Sequence, residues 1–235
     1  MEIDVGFIVL IAVTIALFLL DTVPKQVTYR KLQRLLDEGR YDELVAYTDT
    51  TLVRLYYRNY ELTNLKLKAY LLKGDEENAR KTLDDLLSQK LPEEQRADLV
   101  VRAFNAYLGW GDAEHAHELL DEIESWKDAK YDWKKKKCQR LYDIIILGKS
   151  DHIDQMKYEL RAAQGADRAW LEYYIALQYQ NRGDNKNYRK YRDLAMKHDF
   201  KPESGLPPVN STSTDLSNEK VEKTESTAKK SEKSK

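Results

Sequence analysis

A chain of 235 residues is long enough for one ordinary domain with extra segments at its ends. Its 39 Lys and Arg against 40 Asp and Glu leave a net charge of −1, which does not draw it to nucleic acid, and nine Gly with five Pro are too few for a turn-rich all-β chain. One cysteine, Cys138, excludes an intrachain disulfide and a multi-cysteine zinc site, and suits a reducing compartment.

The first element is apolar. Residues 5–20 read VGFIVLIAVTIALFLL, without charge and with only Gly6 and Thr14 as interruptions. As helix they span ~24 Å at 1.5 Å per residue. Ile3, Thr22 and Val23 extend the run toward a ~30 Å hydrocarbon core, with Asp4 and Asp21 near the two interfaces. Glu2 and Asp4 stand where a signal peptide carries basic residues, and LLDTVPK follows in place of a small-residue cleavage site. Residues 1–24 are therefore expected to be a retained transmembrane anchor. Lys25, Arg30, Lys31, Arg34 and Arg40 follow the run and no cation precedes it, so the bulk of this single-pass chain is expected on the cytoplasmic side. Asn210-Ser211-Thr212 would accept a glycan only if the tail were lumenal.

From residue 25 to 200 the chain repeats itself. Glycines with similar surroundings stand at Gly39, Gly74, Gly111, Gly148 and Gly183, at intervals of 35, 37, 37 and 35. Four residues before each lie Leu35, Tyr70, Tyr107, Ile144 and Tyr179; seven before lie Leu32, Leu67, Phe104, Leu141 and Ala176. Positions three apart stack on one helical face. Twelve residues past each glycine lie Thr51, Leu86, Ile123, Leu160 and Ala195, so a second striped helix is expected after each turn. Glycine suits the left-handed residue that follows a helix end, and the Asp after it in three units suits an N-cap. Pro92-Glu93-Glu94 reads as a helix start between the second and third units.

This helix–glycine turn–helix phrase resembles the tetratricopeptide repeat (TPR) superfamily over about 25–200, without pointing to a subfamily. Tyr70, Gly74, Asp75 and Ala79 match its first-helix end, turn and second-helix stripe, as do Tyr107, Gly111, Asp112 and Ala116. The usual small residue seven before the glycine is Leu or Phe in four units, and the early Trp and closing Pro are mostly missing. The resemblance implies an all-α, right-handed superhelical solenoid of about five helix-turn-helix repeats, with a concave groove that binds a protein segment.

By that resemblance the groove is lined by first-helix positions, among them those ten and six before each glycine. These are Tyr29, Asn64, Val101, Cys138 and Tyr173, then Gln33, Lys68, Asn105, Tyr142 and Leu177. Nine before the glycine come Arg30, Leu65, Arg102, Gln139 and Tyr174, so the paired Asn and Lys/Arg clamp of the chaperone-tail binders is not reproduced. The candidate protein-binding residues are Tyr29, Gln33, Asn64, Lys68, Arg102, Asn105, Cys138, Tyr142 and Tyr173. Tyr, Asn and Lys can hold a peptide by stacking and backbone hydrogen bonds.

Catalytic chemistry has little to stand on. The four histidines are His115, His117, His152 and His198, and the first two diverge by ~200° on a helix. No phosphate-cradling loop or nucleophile motif is present, and no metal, cofactor or small-molecule substrate is expected. Lys134–Lys137, beside Tyr131 and Trp133, reads first as a charged outer turn and second as a contact for anionic lipid or an acidic partner. Residues 201–235 lack aromatics and are rich in Ser, Thr, Lys and Glu, so a disordered polar tail is expected. The expectation is a non-enzymatic, membrane-anchored adaptor or assembly factor with a protein partner. Its rivals are an extracytoplasmic chaperone for translocated chains and a regulatory subunit of a membrane enzyme complex.

Overall fold

The computed structural model describes residues 22–198 and 200. The anchor expected over 1–24 therefore lies outside the described residues except for its last three, and the tail expected over 201–235 lies wholly outside them. Among the described residues no helix is long and apolar enough to cross a membrane.

All regular structure among these residues is helical, with no strand. The helices are α1 (22–37), α2 (Tyr41–Thr48), α3 (Thr51–Tyr56), α4 (Asn59–Lys73), α5 (Glu76–Leu87), α6 (Glu93–Gly109), α7 (Ala113–Ser125), α8 (Asp132–Ile145), α9 (Ile153–Leu160), α10 (Gly165–Asn181) and α11 (Asn185–Lys197); a 3-10 turn at Ala129–Tyr131 precedes α8. The chain forms two compact units, and the division falls inside α8 between Tyr142 and Asp143. In the first unit α2 packs on α4, α4 on α5, α5 on α6 and α6 on α7; in the second, α10 packs on α9 and α11. Helices thus meet those next or nearly next in the chain, in a helical repeat-like architecture.

The five turn glycines are the joints. Gly39, Gly74, Gly111, Gly148 and Gly183 all have positive φ, as the spacing predicts. At Gly74 the glycine N–H donates to the Leu71 carbonyl at 3.2 Å and the Asp75 N–H to the Tyr70 carbonyl at 2.9 Å. Those two bonds close α4 by meeting carbonyls that have no partner within the helix. The pattern recurs at Gly39, Gly111 and Gly183. Asp75, Asp112 and Asp184 then cap the next helix, accepting the backbone N–H of Asn78, His115 and Asn187 at 3.2, 3.2 and 3.0 Å.

The turn at Gly148 is built differently. No Asp follows the glycine, and the Lys149 N–H reaches one residue further back, to the Asp143 carbonyl at 2.8 Å. Ile144, whose position corresponds to the accepting tyrosines, has its carbonyl met instead by Asn181 Nδ2 at 2.9 Å.

Packing follows the sequence stripe. Leu32, Leu67, Phe104, Leu141 and Ala176, the residues seven before each glycine, are all buried, as are Leu86, Ile123 and Ala195 twelve after. The first hairpin departs from the expected second helix. Thr48 and Thr50 turn their hydroxyls back onto the Val45 and Tyr47 carbonyls at 2.6 and 2.8 Å, the backbone at Thr50 is extended, and α3 begins as a separate helix. Such side-chain bonds compete with helix continuation, so Thr51 is exposed rather than part of a buried stripe.

Candidate functional site

α4 and α6 bring the predicted polar residues together. Asn64 sits mid-way along α4 with its Nδ2 donating to the Tyr60 carbonyl of its own helix at 2.9 Å. That bond turns Oδ1 outward from α4, where it accepts from Arg102 Nη1 of α6 at 2.7 Å. Arg102 lies mostly out of water, and burial holds its guanidinium below the usual range, with Tyr60 and Asp98 acting in the opposite direction. No carboxylate among the described residues comes within 4.0 Å of it. Asp98, one turn before Arg102, pairs instead with Lys134 of α8. A mostly buried cation hydrogen-bonded to a neutral amide and to no carboxylate is electrostatically incomplete.

The neighbours are mixed. Asn105, one turn after Arg102, is 4 % exposed and its buried Oδ1 accepts no hydrogen bond. Lys68, one turn after Asn64, is exposed. Tyr29 and Gln33 share a face of α1 at i, i+4 and are partly buried. Tyr142 lays its ring on His117 of α7 with centroids 5.7 Å apart. Cys138 is 2 % exposed and burial pushes its thiol up to about 12, so it offers a partner neither surface nor a thiolate. Tyr173 belongs to the second unit, where Phe200 stacks on its ring at 4.3 Å and burial raises its phenol. Among the nine predicted residues, Asn64 and Arg102 are joined directly, and Lys68 and Asn105 lie one turn from them.

Other charged groups serve the fold. Lys134 pairs with Asp98, and Lys135 donates to the Trp126 carbonyl, so the lysine run is engaged within the first unit from its first residue. Arg80 of α5 pairs with Asp112 at 2.7 Å and lies over the rings of Tyr107 and Trp110 at 5.0 and 4.6 Å. His115 stacks on Tyr107 at 4.9 Å and meets Asp112 at 2.9 Å, with its imidazole raised by that bond. Among the described residues no group of three His, Cys, Asp or Glu is placed to hold a metal.

Sequence reasoning missed two features. The residue three past each capping Asp also binds its carboxylate by side chain, at 2.9 Å for Asn78, 2.9 Å for His115 and 2.6 Å for Asn187. The signal was present as Gly-Asp-x-x-Asn/His in GDEEN, GDAEH and GDNKN. The second is the Asp98–Lys134 pair, which is what leaves Arg102 without a carboxylate, and nothing local in sequence marks it.

Helix pairs joined at glycine turns, with a polar face shared by α4 and α6, define a helical repeat-like protein. Neither protein-family models, nor curated proteins, nor solved structures give a match to this chain.

Proposed function

We propose that the chain is a membrane-anchored, non-catalytic adaptor or assembly factor that holds a segment of a partner protein against the α4–α6 face. In this reading the hairpins of the first unit stack as in a TPR-like solenoid, and residues 5–20 tether it to a membrane with the repeats on the cytoplasmic side. Tethering raises the effective concentration of a weak partner at the bilayer.

The observation that carries the reading is Arg102. Its guanidinium is mostly buried, faces no carboxylate within 4.0 Å among the described residues, and is held by Asn64 at 2.7 Å. A group so placed is completed by an acceptor brought from outside, best an acidic side chain of an extended or helical segment. Exposed Lys68 adds a second cation one turn from Asn64.

The test is site-specific photocrosslinking in the full chain in its membrane. A photoreactive residue at Lys68 is expected to capture defined proteins, whereas one at Lys81, exposed on α5, captures none of them. Arg102→Gln is expected to lower capture at Lys68 about tenfold, the scale of a lost hydrogen bond to a charged group. Equal capture from both positions, unchanged by Arg102→Gln, would remove the proposal.

A further inference from the structure

Large apolar side chains left in water gather at one end of the first unit. Val23 (48 %), Val27 (59 %), Leu52 (48 %) and Leu55 (76 %) are half of the eight large hydrophobic residues exposed among the described ones, and all lie in the opening turns of α1 or on α3. Val23 and Val27 share a helix face at i, i+4, and Leu52 and Leu55 at i, i+3. α3 is held to that end of α1: Tyr57, the residue after α3, is buried and its hydroxyl donates to the Lys25 carbonyl at 3.3 Å. Val53, on another side of α3, is fully buried, so the short helix lies against the unit with Leu52 and Leu55 turned outward.

What faces this end follows from the chain. The described residues begin at Thr22, with Asp21 alone between them and the uncharged run VGFIVLIAVTIALFLL of 5–20. Exposed cations, Lys25 and Arg30 on α1 with Arg54 and Arg58 around α3, flank the apolar residues, Arg54 also pairing with Asp49 at 2.6 Å. Apolar residues bordered by cations are the makeup of a surface that enters the headgroup–acyl boundary. We infer that α3 and the opening turns of α1 form a membrane seat, with Leu52 and Leu55 in the lipid interface and the flanking cations among lipid phosphates. This inference rests on the reading of 5–20 as an anchor. Six residues of α3 bury too little to hold a membrane alone, but beside an anchor the contact is intramolecular and little affinity is required. The seat fixes which side of the first unit meets the bilayer.

The experiment uses the full chain in vesicles of mixed phosphatidylcholine and phosphatidylglycerol. Leu55→Cys carries an environment-sensitive fluorophore and Lys81→Cys carries the same label as an exposed reference; buried Cys138 in the parent chain sets the labelling background. Lipids with a quencher on the acyl chain are expected to quench the label at 55 and not the one at 81. Aqueous iodide is expected to quench the label at 55 about fivefold less, as suits a group several ångströms below the headgroups. A label at 55 as open to iodide as that at 81, in a chain that resists alkaline extraction from the vesicles, overturns the seat and leaves the anchor standing. Protection from iodide without quenching by lipid means that a protein surface, such as a second copy, covers α3, and this too overturns the seat. Release of the chain by alkaline extraction overturns both.

Discussion

Arg102 Nη1 donates to Asn64 Oδ1 at 2.7 Å, tying α6 to α4 across 38 residues of chain. The bond fixes where the guanidinium lies but does not neutralise it, because its acceptor is an amide. Replacing a charge from a buried ion pair usually costs 3–5 kcal/mol, since the partner is stranded. Here no charge is stranded. Arg102→Met is therefore expected to change stability by less than about 1 kcal/mol, the loss of one hydrogen bond being offset by relief of a desolvated cation. Urea titration of the full chain in detergent, followed by tryptophan fluorescence, reads this; a loss of 3 kcal/mol or more would make Arg102 part of the framework instead. Crosslinking from Lys68 should fall with the same variant.

Gly74 has φ 75° and nothing within 4 Å of the place where a Cβ would stand. Strain and crowding are thus separable at this turn. Gly74→Ala is expected to cost about 1 kcal/mol from left-handed backbone alone, and Gly74→Asn less, because Asn tolerates that region. The same denaturation midpoints decide; an Ala variant equal to the parent would mean that the turn relaxes out of the left-handed region.

Asp112 and His115 make a pH-dependent cap. Burial pushes Asp112 up, but hydrogen bonds from His115 and Arg80 outweigh it and hold the carboxyl at about 2, below its ordinary 3.8. The Asp112 bond raises His115 above its ordinary 6.5. A depressed carboxyl stabilises above pH 3.8 and loses that contribution as pH falls through about 2. A raised imidazole stabilises fully below pH 6.5 and loses that contribution as pH rises through its folded value. The stability gap between parent and His115→Gln should therefore be widest between about pH 4 and 6.5 and narrow at alkaline pH. By NMR, His115 should titrate above 6.5, and Asp112→Asn should bring it down.

Cys138 gives a chemical probe of the first unit. With the thiol held near 12 by burial, its thiolate fraction at neutral pH is on the order of 10³ below that of a free cysteine. Alkylation of the folded chain is expected to be slower than that of the unfolded chain by at least this factor. Rapid modification under native conditions would show that α8 opens readily.

Much of this architecture is written in local chemistry. Each glycine needs only its own backbone conformation, and each −7 residue only helical spacing, so both are legible one unit at a time. Gly39 through Gly183 all take positive φ, and Leu32 through Ala176 are all buried. The break at Thr48–Thr51 was not legible, because the apolar stripe continues across it and the deciding bonds are threonine hydroxyls turned back on their own carbonyls. The site was half legible. Spacing placed Asn64 and Arg102 on facing helices, but the isolation of Arg102 depends on Asp98 choosing Lys134, 36 residues away. Cys138 and Tyr173 occupy groove positions by count, yet the burial of one and the Phe200 ring over the other are outcomes of packing that no spacing displays.

Asn181 carries the turn that departs from the others. Its Nδ2 donates to the Ile144 carbonyl at 2.9 Å and the Lys149 carbonyl at 3.1 Å, so one amide from α10 closes the end of α8 and the loop behind it. Gly148, like Gly39, lacks the following Asp that caps the next helix after Gly74, Gly111 and Gly183, and its loop draws on this donor from α10 instead. Asn181→Ala is expected to cost about 1 kcal/mol, since water can replace part of the bond at an exposed position. Asn181→Asp should cost more at neutral pH, because a carboxylate then faces two carbonyl oxygens. It should recover in part below about pH 4, where the protonated acid regains one donor. Hydrogen exchange of the amides between Ile145 and Ile153 reports the loop directly. Protection there should fall in the order parent, Ala, Asp at neutral pH, and an unchanged pattern in the Asp variant would show that Lys149 bonding to the Asp143 carbonyl is sufficient to hold the turn.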